Sequence, residues 1–360
     1  MSWGKIMRNV HVDLGPKSYD IEIERGLLHR VGSRIKTLLP KTEKIAIVTD
    51  SNVGPLYASI LQQTLKKEGI AAPVLTFKAG EESKNLKTLE ILYNGLAEAG
   101  LTRSDAVIAL GGGVTGDMGG LAAATFLRGV AFIQIPTSLL ATVDSSVGGK
   151  VAVDLPSGKN LVGAFYQPKA VYIDPDLLRT LPVRYLHDGL AEVIKYGCIR
   201  DKDLFVTLEK IQNDEDLLAH VDEIIEICCN IKARIVENDE FDTGERMLLN
   251  FGHTLGHAVE KTFHFDRYSH GEGVGIGMVL LTRQSEKLGL TEQGIADRIA
   301  TLLKKFQLPV NVQMRQADFL QAIALDKKKR GSHLTLVLLN KIGDSFLQKV
   351  NFDELHNYLP

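Results

Sequence analysis

The stretch from Asn250 to His270, NFGHTLGHAVEKTFHFDRYSH, sets three imidazoles beside the amide of Asn250 and the carboxylate of Glu260. Of these, His253 and His257 are four residues apart, so a helix brings them to one face about a turn apart. Two nitrogens so related serve as a pair of metal ligands, or as one ligand beside an acid–base group. A carboxylate comes from GLAEVIKYG, Gly189 to Gly197, a largely apolar helical pattern with Glu192 and Lys195 three apart on one face. A buried Glu requires a partner, and a metal ion is one. Glu192 with His253 and His270 makes a carboxylate and two imidazoles, and leaves coordination positions open for substrate oxygens. The competing pair is His253 with His257. A blander reading makes each His a satisfied core or surface imidazole. Against it, the three lie within eighteen residues and are bracketed by Gly252, Gly256 and Gly271. Arg246 and Asn250, also four apart, suit the same site.

A different chemistry is written earlier in the chain. GGGVTGD, Gly111 to Asp117, follows the apolar run AVIAL and leads into a helical pattern. Glycines let backbone amides approach a pyrophosphate, and a helix N-terminus favours its charge. The spacing is not the GxGxxG fingerprint, and the plainer alternative is a tight turn that needs positive φ. GEESK (Gly80 to Lys84) and Thr137–Ser138 also follow strand-like runs, at carboxyl-end positions where open α/β sheets bind ligands. From Thr137 to Asn160 the chain concentrates hydroxyls, glycines, Asp144, Lys150, Lys159 and Asn160. Lysines in GGK and SGKN settings suit anion contacts, with a solvated loop as the ordinary reading. DKKKR, Asp326 to Arg330, reads as a solvated charge run from which one lysine could reach an anion.

These groups need two kinds of scaffold. Up to about residue 175, strand-like runs (Ser18–Ile23, Lys44–Thr49, Val74–Phe77, Ala106–Leu110, Ala131–Ile135) alternate with helical patterns such as Pro55–Glu68, ended by Gly69. That order implies βαβ units and a mostly parallel sheet. Beyond Leu177 long helical patterns dominate, Leu217–Val236 and Glu245–Thr262 among them, with few strand signals until His333–Leu339. The expected division is an α/β domain over 1–176 and a mainly helical domain over 177–360. A chain of 360 residues is long enough for two cores. With 42 Lys and Arg against 44 Asp and Glu, charge recommends neither nucleic acid nor an anionic membrane. No apolar run reaches the ~20 residues of a membrane span. The start, MSWGKIMRNV, lacks the apolar region of a signal peptide. Cys198, Cys228 and Cys229 have no disulfide or zinc spacing and read as reduced core thiols, so a cytoplasmic setting is expected.

Taken in order, GGGVTGD, TSLLATVDSSVGGK, GKNLVGAFYQP, LAEVIKYG, NFGHTLGHAVE and SHGEGV resemble the motifs of bacterial 3-dehydroquinate synthases, over almost the whole chain. The resemblance implies a Rossmann-like α/β N-terminal domain joined to a helical one, in the dehydroquinate synthase-like fold. It implies an NAD-dependent lyase of the shikimate pathway that uses a divalent metal, zinc or cobalt, and is usually a homodimer. The expected reaction turns 3-deoxy-D-arabino-heptulosonate 7-phosphate into 3-dehydroquinate and phosphate, with NAD reduced and reoxidised within one turnover. The implied ligands are Glu192, His253 and His270, with His257 a nearby proton-transfer imidazole. NAD contacts fall on Asp50, on Gly80, Glu81 and Lys84, and on Gly113, Val114, Thr115, Gly116 and Asp117. Others fall on Thr137, Ser138, Lys150, Lys159, and Leu177, Leu178, Arg179 and Thr180. Substrate contacts fall on Arg128, Asp144, Lys150, Lys159, Asn160, Lys195, Lys232, Arg246 and Asn250, and on Lys327 or Lys328. Lys195, His257, Asn250, Lys150 and Arg246 are the implied catalytic group. Two positions depart from the pattern: Asp242 replaces the usual Glu, and Glu245 stands where the family is commonly apolar. Other sugar-phosphate cyclases (aminodehydroquinate or 2-deoxy-scyllo-inosose synthase) and a metal-dependent polyol dehydrogenase are the alternatives.

Overall fold

The computed structural model describes residues 7–263, 267–330 and 333–360, without the side chains of 324–330. The chain forms two compact units, one of residues 1–181 with 221–237, the other of 182–220 with 238–360. The first unit thus runs to Leu181 and takes in a later helical segment.

In the first unit the chain runs β1 (Arg8–Val12), β2 (Tyr19–Ile23), α1 (Val31–Leu38), β3 (Ile45–Asp50), α2 (Gly54–Lys67) and β4 (Val74–Phe77). It continues with α3 (Leu86–Glu98), β5 (Ala106–Gly111), α4 (Gly113–Thr125), β6 (Ala131–Pro136), β7 (Lys150–Leu155), β8 (Gly158–Phe165) and β9 (Ala170–Ile173). Seven strands make one sheet in the order β1-β2-β9-β6-β5-β3-β4, parallel except for the β1–β2 pair. All residues of β3 and β5 are buried, because helices cover both faces, and this is why both read as unbroken apolar runs. Successive β3 side chains enter opposite cores. Ile45 and Ile47 pack with Leu61 and Leu65 of α2, whereas Ala46 and Val48 pack with Leu92 of α3 and Met118 of α4. From β3 the chain moves outward to β4 and then returns to β5 on the other side of β3. The carboxyl ends of β3 and β5 thus flank a topological switch point, the usual ligand crevice of such sheets.

β7 and β8 form a separate antiparallel hairpin that begins in the polar run ending at Asn160 and continues to Phe165. The signal was weak because six of the eight β8 residues are exposed, so no apolar alternation marks it.

The second unit contains α5 (Val183–Ile199), α6 (Lys202–Lys210), part of α7 (Asp214–Asn238), α8 (His253–Thr262), α9 (His270–Lys287), α10 (Ile295–Lys305), α11 (Gln316–Arg330) and the hairpin β10 (His333–Lys341) and β11 (Asp344–Asn351). The single helix expected over Glu245–Thr262 is in fact two pieces. A 3-10 turn spans Glu245–Asn250, and α8 starts afresh at His253. The break lies at Gly252, whose φ of 79° is costly for residues with a Cβ. All three cysteines are buried and free. Among the described residues no helix is long and apolar enough to cross a membrane.

Candidate metal centre and nucleotide cradle

The metal candidates belong to the second unit. Every α5 residue from Leu186 to Ile199 is buried, and Glu192 is 0% exposed. Its Oε2 accepts a hydrogen bond from Lys195 Nζ, one turn along the helix. Its Oε1 lies 3.4 Å from His253 Nε2 and 3.3 Å from His270 Nε2, yet no donor bonds it in good geometry. His253 Nδ1 faces the Phe251 carbonyl at 3.1 Å, and His270 Nδ1 faces Glu260 Oε1 at 2.9 Å. Both oxygens only accept, so each Nδ1 carries the proton and each Nε2 is directed at Glu192. Burial drives the Glu192 carboxyl up, but the Lys195 ammonium and the imidazoles outweigh it and hold it well below its usual range. Burial likewise pushes His270 down, and the neighbouring Glu192 and Glu260 carboxylates reverse this, raising it well above an ordinary imidazole. The site thus favours positive charge beside Glu192. A buried carboxylate oxygen without a donor, flanked by two oriented imidazole nitrogens, fits a divalent ion of mixed nitrogen and oxygen preference such as zinc or cobalt.

His257 stands apart from that set. It is exposed, with its ring 5.4 Å from that of His253 and 6.0 Å from that of His270. Two possible ligand clusters occur among the described residues, Glu192–His253–His270 and His257–Glu260–His270, and neither unites His253 with His257. The competing pair therefore lacks the third group that completes a site.

Glycines bring these elements together. A Cβ on Gly256 would meet the Gly273 backbone at 2.9 Å, and one on Gly277 would meet the Gly252 carbonyl oxygen at 2.0 Å, so α8 and α9 touch along their main chains. A Cβ on Gly271 would lie 2.0 Å from the Asp188 carbonyl oxygen, which seats the start of α9 against α5. Asp188 also accepts a hydrogen bond from Gly271 N at 2.6 Å. Sequence reasoning overlooked Asp188 and left Glu260 without a role. The available signal was spacing, since Asp188 lies four before Glu192 and Glu260 three after His257.

Arg246 is 2% exposed; its backbone N–H donates to Asp239 Oδ2 and its Nη1 to the Glu240 carbonyl. Asn250, at the end of the same 3-10 turn, is exposed. Asp242 adopts φ 60°, a left-handed conformation that Asp tolerates better than a longer side chain, which gives a local reason for its departure from Glu. Glu245 is satisfied by Arg200 at 2.5 Å and Asn238 at 2.9 Å, so its extra charge is locally matched. Lys327 and Lys328 fall in α11, and their side chains lie outside the described residues.

In the first unit the nucleotide candidates gather at the switch point. None of Gly111, Gly112, Gly113 and Gly116 has positive φ, so the turn reading of these glycines is incorrect. They are small because α4 lies close: a Cβ on Gly111 would meet Thr115 Oγ1 at 2.4 Å, and one on Gly116 would meet Gln134 Oε1 at 2.9 Å. Gly112 offers no side-chain cap, which leaves the first amides of α4 available to an anion. Asp50, ending β3, accepts from the amides of Asn52 and Val53 with one oxygen and from Thr115 Oγ1, at 3.0 Å, with the other. Thr137 donates its N–H to the Gly111 carbonyl, and Ser138 lies beside Gly112. Val114, in the first turn of α4, packs at the edge of the α3–α4 core.

Gly80 and Glu81 lead to Lys84, which is paired with Asp117 and donates to Asn160 Oδ1 at 2.6 Å. Burial pushes the Asp117 carboxyl up to about 6; the Lys84 ammonium pulls it down, and Glu81 and Asp154 add repulsion. Burial works against the charge on Lys84, but Asp117 and Glu81 overcome it and raise its pKa. Asn160, expected at the substrate, thus accepts from a lysine expected at the nucleotide. Lys159 pairs with Glu81 at 3.2 Å, and Lys150 is exposed at the start of β7. Asp144 accepts from Lys232 Nζ at 2.8 Å, and Arg128 is exposed with φ 69°. Leu177 and Leu178 are buried in a 3-10 turn, so only their backbone is available. Thr180 bonds Tyr57 at 2.5 Å, while Arg179 lies near Asp176.

Residues 74–188 match the 3-dehydroquinate synthase N-terminal family and residues 189–329 its C-terminal counterpart. The chain is 52% identical to the 3-dehydroquinate synthase of Clostridium acetobutylicum over 98% of its own length and 99% of that protein's. Its fold matches 2-deoxy-scyllo-inosose synthase, solved with carbaglucose-6-phosphate, NAD+ and Co2+, with TM-score 0.87 and 25% identity over 97% of this chain and 98% of that one. It also matches 2-epi-5-epi-valiolone synthase from Streptomyces hygroscopicus, solved with NAD+ and Zn2+, with TM-score 0.84 and 26% identity over 94% and 95% of the two chains. The two family matches and 52% identity along nearly the full length place this chain in the 3-dehydroquinate synthase family.

Proposed function

We propose that this protein converts 3-deoxy-D-arabino-heptulosonate 7-phosphate into 3-dehydroquinate and phosphate. The observation that carries the reading is the buried Glu192 oxygen facing two oriented imidazoles, in a chain 52% identical to a 3-dehydroquinate synthase. Bound NAD supplies a hydride acceptor that later returns the hydride, and a bound zinc or cobalt ion supplies Lewis acidity toward substrate hydroxyls.

The residues divide that work. Glu192, His253 and His270 hold the ion, and Lys195 keeps Glu192 ionised. His257 and Lys195 are the proton-transfer groups, one exposed and one buried. In this unit Arg246 and Asn250 orient substrate oxygens. In the first unit the amides of α4 receive the pyrophosphate, with Asp50 fixing the start of that helix through Thr115. Arg128, Lys150, Lys159 and the Lys232–Asp144 pair serve anionic groups, which is orientation more than bond-making.

We also place the protein in the cytoplasm, a reading supported by its three buried, free thiols. A homodimer is supported by Leu161, Val162 and Phe165, all exposed on β8, because a two-stranded hairpin with an apolar outer surface calls for a cover. Sedimentation as a monomer at micromolar concentration would exclude it.

The test of function is phosphate release from the heptulosonate phosphate by zinc-loaded protein with NAD. Turnover without net NADH is the expected result. No release sinks the assignment, and stoichiometric NADH with a polyol favours a dehydrogenase instead.

A further inference from the structure

His270 is the most exposed of the three ligand candidates, with 34% of its side chain accessible against 12% for His253 and none for Glu192. It is also the first residue of its helix, where the preceding chain gives least support. Something must hold its ring, since a ligand that wanders by an ångström costs affinity.

Two buried carboxylates do so from different sides. Glu260, 4% exposed and on α8, accepts from His270 Nδ1 at 2.9 Å. A carboxylate there forces the proton onto Nδ1, aims Nε2 at Glu192 and increases the basicity of the ring. Asp188, 8% exposed and on α5, accepts from the N–H of Gly271 at 2.6 Å. That N–H is one of the unpaired donors of the first helical turn, so the bond ties the start of α9 to the helix that carries Glu192. Gly271 permits the approach, because any Cβ would overlap the Asp188 carbonyl oxygen. Charge agrees with this arrangement. Glu192, Glu260 and Asp188 are three buried carboxylates around His270, surroundings that favour positive charge there.

We propose that Glu260 and Asp188 are positioning residues for His270: Glu260 selects its tautomer, and Asp188 fixes its distance from Glu192. Each acts through His270. The proposal rests on the reading of Glu192, His253 and His270 as ligands.

Zinc affinity, and the visible absorption bands of the cobalt-loaded protein, are measured for wild type, Glu260→Gln, Glu260→Ala, Asp188→Asn and Asp188→Ala. Each Ala variant is expected to weaken zinc binding by about 10- to 100-fold and to shift the cobalt bands. Gln and Asn still offer an oxygen acceptor, so each should recover most of the affinity and the wild-type bands. Excess zinc should restore kcat in the Ala variants with KM unchanged. Wild-type affinity and bands in an Ala variant overturn the role of that residue, as does a Gln or Asn variant as weak as its Ala counterpart. Wild-type protein that binds no zinc overturns the ligand set and this proposal together. Apo-protein melting is followed in parallel, and a variant that loses zinc only by unfolding counts against positioning.

Discussion

Around α4 the first unit offers main chain: uncapped amides, and glycines against which neighbouring side chains pack closely. Around α5 the second unit offers side chains that are themselves buried, Glu192 and Lys195 above all. The first arrangement offers an anion backbone donors, beside a largely buried Lys84–Asp117 pair that neutralises itself. The second keeps charges in the core and must balance them with partners or an ion. Substitutions should therefore act gradually in the nucleotide cradle and abruptly at the metal centre.

The strongest attack on that contrast is His253→Ala. Removing a direct ligand should reduce zinc affinity by more than the ~10–100-fold typical of an outer partner, and turnover should fall with zinc content. Metal analysis of purified protein checks it; a variant with full zinc content removes His253 from the ligand set.

Next comes Gly271→Ala. The new methyl collides with the Asp188 carbonyl, so α9 must move away from α5 and take His270 with it. We expect a stability loss of about 1–3 kcal/mol together with weakened zinc binding. Urea unfolding with zinc titration distinguishes this from simple overpacking, which would leave affinity intact.

Gly111→Ala makes the corresponding change in the cradle. Its Cβ would crowd Thr115 and disturb the bond to Asp50, with a similar packing cost, but zinc affinity should stay at the wild-type value while NAD binding weakens. Equal loss of zinc in Gly111→Ala would end the distinction between the two regions.

A further effect concerns pH. The folded Asp117 carboxyl is pushed up to about 6, chiefly by burial, above the roughly 3.9 of an unfolded Asp. A raised value means that the folded state holds the proton more tightly. Its stabilising contribution is complete below about pH 4 and is lost as pH rises through 6. Asp117→Asn escapes that loss, so it should gain on wild type between pH 4 and 7, by at most roughly 3 kcal/mol. Paired urea unfolding curves across that interval measure it, and a difference that shrinks as pH rises contradicts the shift.

How far each region could be read in advance follows the same contrast. β3, β5 and β6 were visible because a strand covered on both faces must be apolar throughout, a local property of the chain. The β7–β8 hairpin was hidden because its exposed residues carry no such pattern. The break at Gly252 was hidden because helical spacing continues across it, and only the contact of Gly277 with the Gly252 carbonyl shows why the chain turns there.

By itself the sequence determined the parallel sheet, the types of ligand and the family, since these rest on periodicity, residue chemistry and motifs in order. Which imidazole nitrogens lie beside the Glu192 carboxylate, and which carboxylates contact them, was decided by tertiary structure. Glu192 and His270 are far apart along the chain, and what brings their atoms to 3.3 Å is close helix packing at glycines, a property of surfaces in contact that no local spacing encodes.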